Sequence, residues 1–191
     1  ISMKKFDQIY HEHVSYMTVK SSFNLLKKNK LEIFKIKQTS YHGGSIRVFS
    51  NPSKNVNLNN HVKKLIDKEE KLKLFKTDTY LNFMKDLKKK KFIFLRKVLS
   101  YKLKGYIIIG IGAAAKANTF LNYIGLDNSM ITYITDSSKY KIGKYTPLTR
   151  IPIFSDNIIK KAGNKVCAIP LAWNIGYMLQ KKLLKVNKNI K

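Results

Sequence analysis

A chain of 191 residues with 44% hydrophobic content has room for one domain, or for a domain and part of a second, around ordinary globular cores. Its 38 Lys+Arg against 11 Asp+Glu give a formal charge of +27, a field that draws polyanions and puts nucleic acid among the partners to be weighed. Arginine, whose fork reads base edges, is confined to Arg47, Arg96 and Arg150, and lysines spread over helical surface as in Lys88–Lys91; this argues against nucleic acid and for solvated surface or a phosphate-bearing small substrate.

No stretch of about 18 consecutive apolar residues is present, so no membrane span is expected. The start, Ile1-Ser2-Met3-Lys4-Lys5, has no apolar signal-peptide core. It does not begin with Met and runs at once into chemically dense sequence, which reads as a fragment boundary. The single cysteine, Cys167, leaves no internal disulfide and no cysteine-based zinc site, and fits a reducing cytoplasm. Set in the apolar run Val166-Cys-Ala-Ile169, it reads as a small buried hydrophobe.

The first chemically loaded segment is Tyr10-His11-Glu12-His13, four adjacent side chains able to hold or move protons near neutral pH. As metal ligands, His11 and His13 have a spacing that suits a strand or loop, with no cysteine to support them. As an acid–base site, one imidazole takes a proton while Glu12 and Tyr10 orient it or stabilise charge. A polar surface turn is the third reading, and the residues alone leave all three open.

Phe23, Leu25, Leu26 and Leu31 then space a short helix. Leu31–Lys37 and Ser45–Phe49 each alternate with period 2, which predicts a β-hairpin. Its connection carries His42-Gly43-Gly44-Ser45 with Arg47 close behind, donors that suit a phosphate or a sugar hydroxyl and serve equally well in a plain turn. Residues 51–60 are loop-like. From about 60 to 103 the spacing of Val62, Leu65, Ile66, Leu72, Phe75, Tyr80, Met84 and Leu87 predicts two or three Lys-rich helices joining two domains, with the aromatic and Met positions in the core.

At Lys104-Gly105 the character changes. Tyr106–Ile111 is a buried-strand run, followed by a small-residue helix start at Gly112-Ala-Ala-Ala-Lys-Ala117. Met130–Thr135 is a second strand ending in Asp136, Ile151–Phe154 a third, and Lys165–Ile169 a fourth before a helix from about Trp173. Strands alternating with helices indicate parallel βαβ units and a small Rossmann-like domain. Gly110-Ile-Gly112-Ala-Ala-Ala-Lys116 sits between strand and helix, where glycines bring backbone N–H groups toward an anion. Ala115 stands at the third glycine position, Asp136 takes the place of a ribose-binding acid, and Lys116 lacks Walker A flanks, so the motif says nucleotide-type ligand without saying which.

In this order the segments resemble a known family. Phe6–His13 with Ser15-Tyr16, then Tyr41–Arg47, resemble the later part of the catalytic domain of sugar C-methyltransferases. Gly110–Tyr123, Asp136, Lys141-Ile-Gly-Lys-Tyr145, Ile151-Pro-Ile153 and Leu171-Ala-Trp-Asn174 are similar to that family's C-terminal domain. Where the family reads Pro-Gly before Ile-Pro-Ile, this chain has Pro147-Leu148, a departure that puts the backbone of the turn in question.

The resemblance implies an α/β chain in three parts: 1–52 as the tail of a class I methyltransferase domain (helix plus hairpin), 53–103 as a helical linker, and 104–191 as a Rossmann-like parallel-sheet domain. It implies S-adenosylmethionine as methyl donor, with the donor loop and a zinc module upstream, so no metal site is expected in this chain. A fragment of this kind is not expected to turn over alone. The implied substrate is a nucleotide-linked keto-deoxysugar, methylated at a carbon next to its ketone. By resemblance His13 is the base that removes the acidic proton, with Glu12 orienting it and Tyr10 near the sugar or enolate. Lys116, Asn118, Asp136 and Lys141 are the nucleotide-side candidates, with His42, Ser45 and Arg47 as further substrate contacts. Two other classes stay open: a nucleotide-sugar-binding module without turnover, and a basic nucleic-acid-binding protein whose affinity would fall steeply with salt.

Overall fold

Residues 14–85 form one unit and residues 6–13 with 86–191 another, in a computed structural model that describes residues 6–40, 44–172, 175–186, 188, 190 and 191. The unit of residues 14–85 is built on α1 (Val19–Lys28), whose first turn is capped twice. The Thr18 hydroxyl accepts from the Ser21 N–H at 3.1 Å while Ser21 Oγ accepts from the Thr18 N–H at 2.7 Å, a reciprocal box that satisfies otherwise orphaned donors. The Glu69 carboxylate, carried on α2 (Asn60–Lys71), then accepts from the Val19 and Lys20 N–H groups at 2.6 and 3.0 Å. A negative charge on the positive end of a helix dipole is favourable there.

The hairpin pairs β1 (Leu31–Thr39) with β2 (Ser45–Pro52). Strict alternation along Leu31–Lys37 does not hold. A bulge between Ile33 and Lys35 shifts the register, so Ile36 rather than Lys35 joins Ile33 in the core. The shift spares a lysine from burial and leaves Phe34 exposed, 6.2 Å from the ring of Phe49. Asn59 ties the loop after β2 to this irregular point: its amide donates to the Ile33 carbonyl at 2.7 Å while Oδ1 accepts from the Val62 N–H at 2.9 Å to cap α2. Val19, Ile33, Ile36 and Val62 form the buried centre.

The second long helix, α3 (Thr77–Leu103), crosses the boundary between the units at residues 85 and 86. Here a second expectation fails. Val62 and Leu87 are buried, but Leu72, Phe75, Tyr80 and Met84 are exposed. The chain leaves the helix at Leu72 and passes through Lys73 at φ +54°, so the apolar spacing of α2 is not carried in phase into α3. Tyr80 spends its hydroxyl on the Leu74 carbonyl at 2.7 Å.

The other unit holds a parallel sheet of four strands, β3 (Ile107–Ile111), β4 (Tyr133–Asp136), β5 (Ile153–Ser155) and β6 (Val166–Pro170), in the order β5-β4-β3-β6. The isoleucine run splits by alternation. Ile108 faces α4 (Ala115–Ile124) and Val98 of α3 with Ile134 and Ile169; Ile109 and Ile111 face the other side with Tyr133, Ile159 of the 3-10 helix Asp156–Lys161, and Leu183 of α5 (Gly176–Val186). Both faces are covered, as a parallel sheet requires. Cys167 lies in the first of these cores, where burial pushes its thiol pKa up against a smaller opposing pull from Lys97.

Regular alternation of strand and helix holds only for β3-α4-β4. The connection from β4 to β5, residues 137–152, is made of turns and contains no helix, because Gly143, Pro147 and Pro152 interrupt any helical run. Phe6, in the short 3-10 helix Phe6–Gln8, stacks on Phe120 at a ring distance of 6.0 Å and packs tilted against Tyr123 at 4.7 Å, both on α4. Trp173 and Asn174 lie outside the described residues. Among those residues no helix is long and apolar enough to cross a membrane.

Candidate functional site

The C-terminal ends of β3, β4 and β5 open into a crevice of about 150 Å³, lined by Gly112, Thr135, Asp136, Lys141, Asp156 and Leu179 among others. It adjoins a more apolar cavity of about 260 Å³ that shares Ile111, Asp156 and Leu179. This is the end of a parallel sheet where strands stop and loops diverge, so ligands of such sheets collect there. Ala114, the residue before α4, makes no side-chain cap and also lines the crevice; within the first turn the Ala117 N–H donates to the Ala114 carbonyl at 2.9 Å, which leaves those of Ala115 and Lys116 as the ones at the helix start.

Asp136 and Lys141 come together as a clasp on the β3–α4 loop. Asp136 Oδ2 accepts from the Ala113 N–H at 2.8 Å, Oδ1 accepts from the Ser138 N–H at 2.8 Å, and Lys141 donates to the Ala113 carbonyl at 2.8 Å with its ammonium 3.5 Å from Asp136 Oδ2. Both oxygens of Asp136 are therefore engaged within the fold. Lys116 lies in the first turn of α4 with its ammonium buried, and the Asn118 carbonyl accepts from the Asn122 amide at 2.8 Å.

The two motif glycines are packed rather than open. A Cβ at Gly110 would stand 2.7 Å from Leu171 and 2.8 Å from Ile134, and one at Gly112 would stand 2.8 Å from the Ala172 methyl. The space in front of them is filled by this chain's own side chains, so the pair does not form a cradle for S-adenosylmethionine.

Tyr10 and His13 form a second cluster in the same unit. His13 Nδ1 lies 2.8 Å from the Gln8 carbonyl, which can only accept, so Nδ1 carries the proton and Nε2 presents a lone pair. The Tyr10 hydroxyl donates to that lone pair at 3.0 Å, with the rings 4.2 Å apart. The imidazole is exposed, as are His11 and Glu12. Ser45 and Arg47 are exposed on β2 in the other unit, opposite Thr39 and Lys37, and His42 with Gly43 lies outside the described residues.

Sequence reasoning passes over Thr135, Asp156 and Gln8. The first two belong to no motif; the available signal is position, since each stands at or just past the C-terminal end of a parallel strand. Gln8 acts through its backbone, which leaves no mark in the side-chain pattern.

Comparison with known proteins decides the family. The profile of the C-methyltransferase C-terminal domain matches residues 40–189. The chain belongs to the C-methyltransferase C-terminal domain family. A relative among these C-methyltransferases, C-methyltransferase NovU of Streptomyces niveus, is 29% identical over 176 residues, covering 89% of this chain. The chain spans about 40% of the length of that relative. The crevice and the clasp around Asp136 both fall inside the matched region, whereas the Tyr10–His13 cluster precedes it.

Proposed function

We propose that this chain works as the C-terminal part of an S-adenosylmethionine-dependent methyltransferase that methylates a carbon beside the ketone of a nucleotide-linked keto-deoxysugar. Family membership supports the reaction class, and the hydrogen-bond chain Gln8–His13–Tyr10 carries the reading of its first step. A hydrogen next to a carbonyl is weakly acidic, so its removal needs a close base and a stabilised oxyanion. The Gln8 carbonyl fixes the imidazole as the tautomer whose Nε2 can accept a proton, and Tyr10 holds that nitrogen until substrate arrives. Displaced from Nε2, the phenol is free to donate to the developing enolate oxygen. Glu12, exposed and next to His13 in sequence, is assigned the role of orienting the imidazole.

At the sheet end, the uncapped start of α4 offers N–H groups to a diphosphate. Lys116 and Lys141 add positive charge there, and Asn118 and Asp136 complete the nucleotide side; Ser45, Arg47 and His42 stand, by resemblance alone, as candidate substrate contacts. This unit is read as Rossmann-like, and the hairpin as the closing strands of a methyltransferase sheet. S-adenosylmethionine, when bound, supplies the electrophilic methyl group. No cradle for it is found among the described residues, so the steps assigned to this chain stop at the enolate.

The first step can be read without the methyl donor, as exchange of the substrate's acidic hydrogen for deuterium in the full-length enzyme. His13→Asn is expected to slow that exchange by about 10²–10⁴-fold, the usual weight of a general base, while affinity for the nucleotide-linked keto sugar survives. Parallel loss of binding and exchange would make His13 a structural residue and end the proposal.

A further inference from the structure

We infer that the apolar cavity beside the crevice is the slot for the nucleobase of the nucleotide-linked substrate; the inference rests on the nucleotide-sugar reading above. On this face of the sheet the cover is α5 and the six-residue 3-10 helix Asp156–Lys161, and between them a volume of about 260 Å³ stays open over Ile111. Ile159 of the 3-10 helix, with Leu179 and Leu183 one turn apart on the same face of α5, completes the aliphatic walls. Empty space of this kind leaves its lining atoms without contacts on one side, a deficit that an apolar ligand makes good.

The surroundings select which part of the substrate enters. The cavity shares Ile111 and Leu179 with the crevice, and the crevice reaches Gly112 and Ala114 at the start of α4, where the reading above puts the diphosphate. A hexose presents hydroxyls all round, and aliphatic walls would strip them of water without replacing the hydrogen bonds. A nucleobase is flat, apolar on both faces and polar only at its edge, so the same walls suit it. That edge needs a donor and an acceptor, and Asn157 carries both in one amide. Asn157 lines the cavity, is exposed, and its side chain makes no hydrogen bond among the described residues. Its backbone is fixed instead, since its N–H donates to Ser155 Oγ at 3.5 Å in the cap of the 3-10 helix. The volume lies below the range of clefts that hold a whole drug-sized ligand and fits one ring system.

The test is calorimetric titration of the full chain with uridine, thymidine and adenosine diphosphates, and with inorganic pyrophosphate, which has no base. The nucleoside diphosphate that binds most tightly is expected to exceed pyrophosphate by about 10-fold or more, through burial of the base. Leu179→Phe, which fills the cavity from a half-buried wall, is expected to weaken that nucleotide by about 10-fold or more. Pyrophosphate binding should be unchanged in this variant, and the melting temperature should not fall. Asn157→Ala alters an exposed side chain and is expected to cost about 3- to 10-fold, the weight of one hydrogen bond, again with pyrophosphate unaffected. Unchanged nucleotide affinity in both variants overturns the slot. Equal losses with nucleotide and pyrophosphate overturn it too, because the changes then act on the phosphates or on the fold. If the unmodified chain binds pyrophosphate and all three nucleotides equally, the slot falls while the phosphate end survives. If it binds none of the four probes, the nucleotide-sugar reading itself falls, and the slot with it.

Discussion

Gly112 and Gly125 separate two reasons for a glycine that look alike in the sequence. Both have positive φ, +86° and +82°, a region that costs an L side chain about 1–2 kcal/mol. At Gly125, the C-cap of α4, an added methyl group would meet nothing within 4 Å, so backbone strain is the whole penalty. At Gly112 the same methyl would press on the Ala172 side chain at 2.8 Å, where the β3–α4 loop is already held by the Asp136–Lys141 clasp. Overpacking of this kind adds about 1–3 kcal/mol. Gly112→Ala is therefore expected to cost more than Gly125→Ala by that increment in urea unfolding, with equal costs arguing that the loop yields freely. The glycine pattern that suggests a phosphate loop in the sequence thus serves packing first, and whatever anion the loop meets is met by the N–H groups beyond it.

The turn between β4 and β5 shows the same economy at the level of an element. Leu148 has φ +63° and is 86% exposed, and the Thr149 N–H reaches back two residues to the Pro147 carbonyl at 2.7 Å, a tight three-residue turn. Around it the buried hydroxyls of Thr146 and Thr149 bond at 2.6 Å, and Thr146 Oγ1 accepts from the Ile151 N–H at 2.9 Å, so the surroundings impose the conformation. The family resemblance implies glycine at this position, and the backbone there is the one glycine favours. Leu148→Gly relieves about 1–2 kcal/mol of left-handed strain, loses almost no burial, and costs about 0.5–1 kcal/mol in chain entropy. A net gain of about 0.5–1 kcal/mol in unfolding free energy is expected, and a clear loss would mean that the Leu148 side chain makes contacts worth more than the strain. The two inner strands β3 and β6 were legible beforehand, since Ile107–Ile111 and Val166–Ile169 are runs of apolar and small residues between breaks. So was the break at Pro147-Leu148. The bulge at Phe34 was not, because it depends on which residue of β2 stands opposite, and neither was the exposure of Phe75 and Tyr80, which follows from a single helix break at Lys73. The crevice eluded the sequence for a similar reason: Thr135 and Asp156 are 21 positions apart and line one crevice because β4 and β5 are neighbours in the sheet.

Taken whole, the molecule carries its charge of +27 in a way that speaks to partner choice. Several ammonium groups are committed to the fold: Lys91 donates to the Tyr123 carbonyl at 2.6 Å, Lys102 to that of Ser129, and Lys165 to that of Lys104 at 3.3 Å, while Lys20 pairs with Glu70 at 2.7 Å. Two of the 11 acidic residues, Asp136 and Asp156, line the wall of one crevice. A surface of dispersed lysines binds phosphate backbones by counterion release and reads no bases, so duplex DNA of any sequence is expected to bind at low salt. That affinity should fall by about 10³-fold or more between 50 and 200 mM salt if some six phosphates are contacted. A nucleotide sugar brings only two phosphates and gains from hydrogen bonds inside the crevice, so its affinity should fall far less over the same range. Anisotropy with two unrelated duplexes and calorimetry with a uridine diphosphate sugar, each at both salt concentrations, make the comparison. Salt-resistant, sequence-selective DNA binding would reverse the assignment, because dispersed ammonium groups cannot produce it.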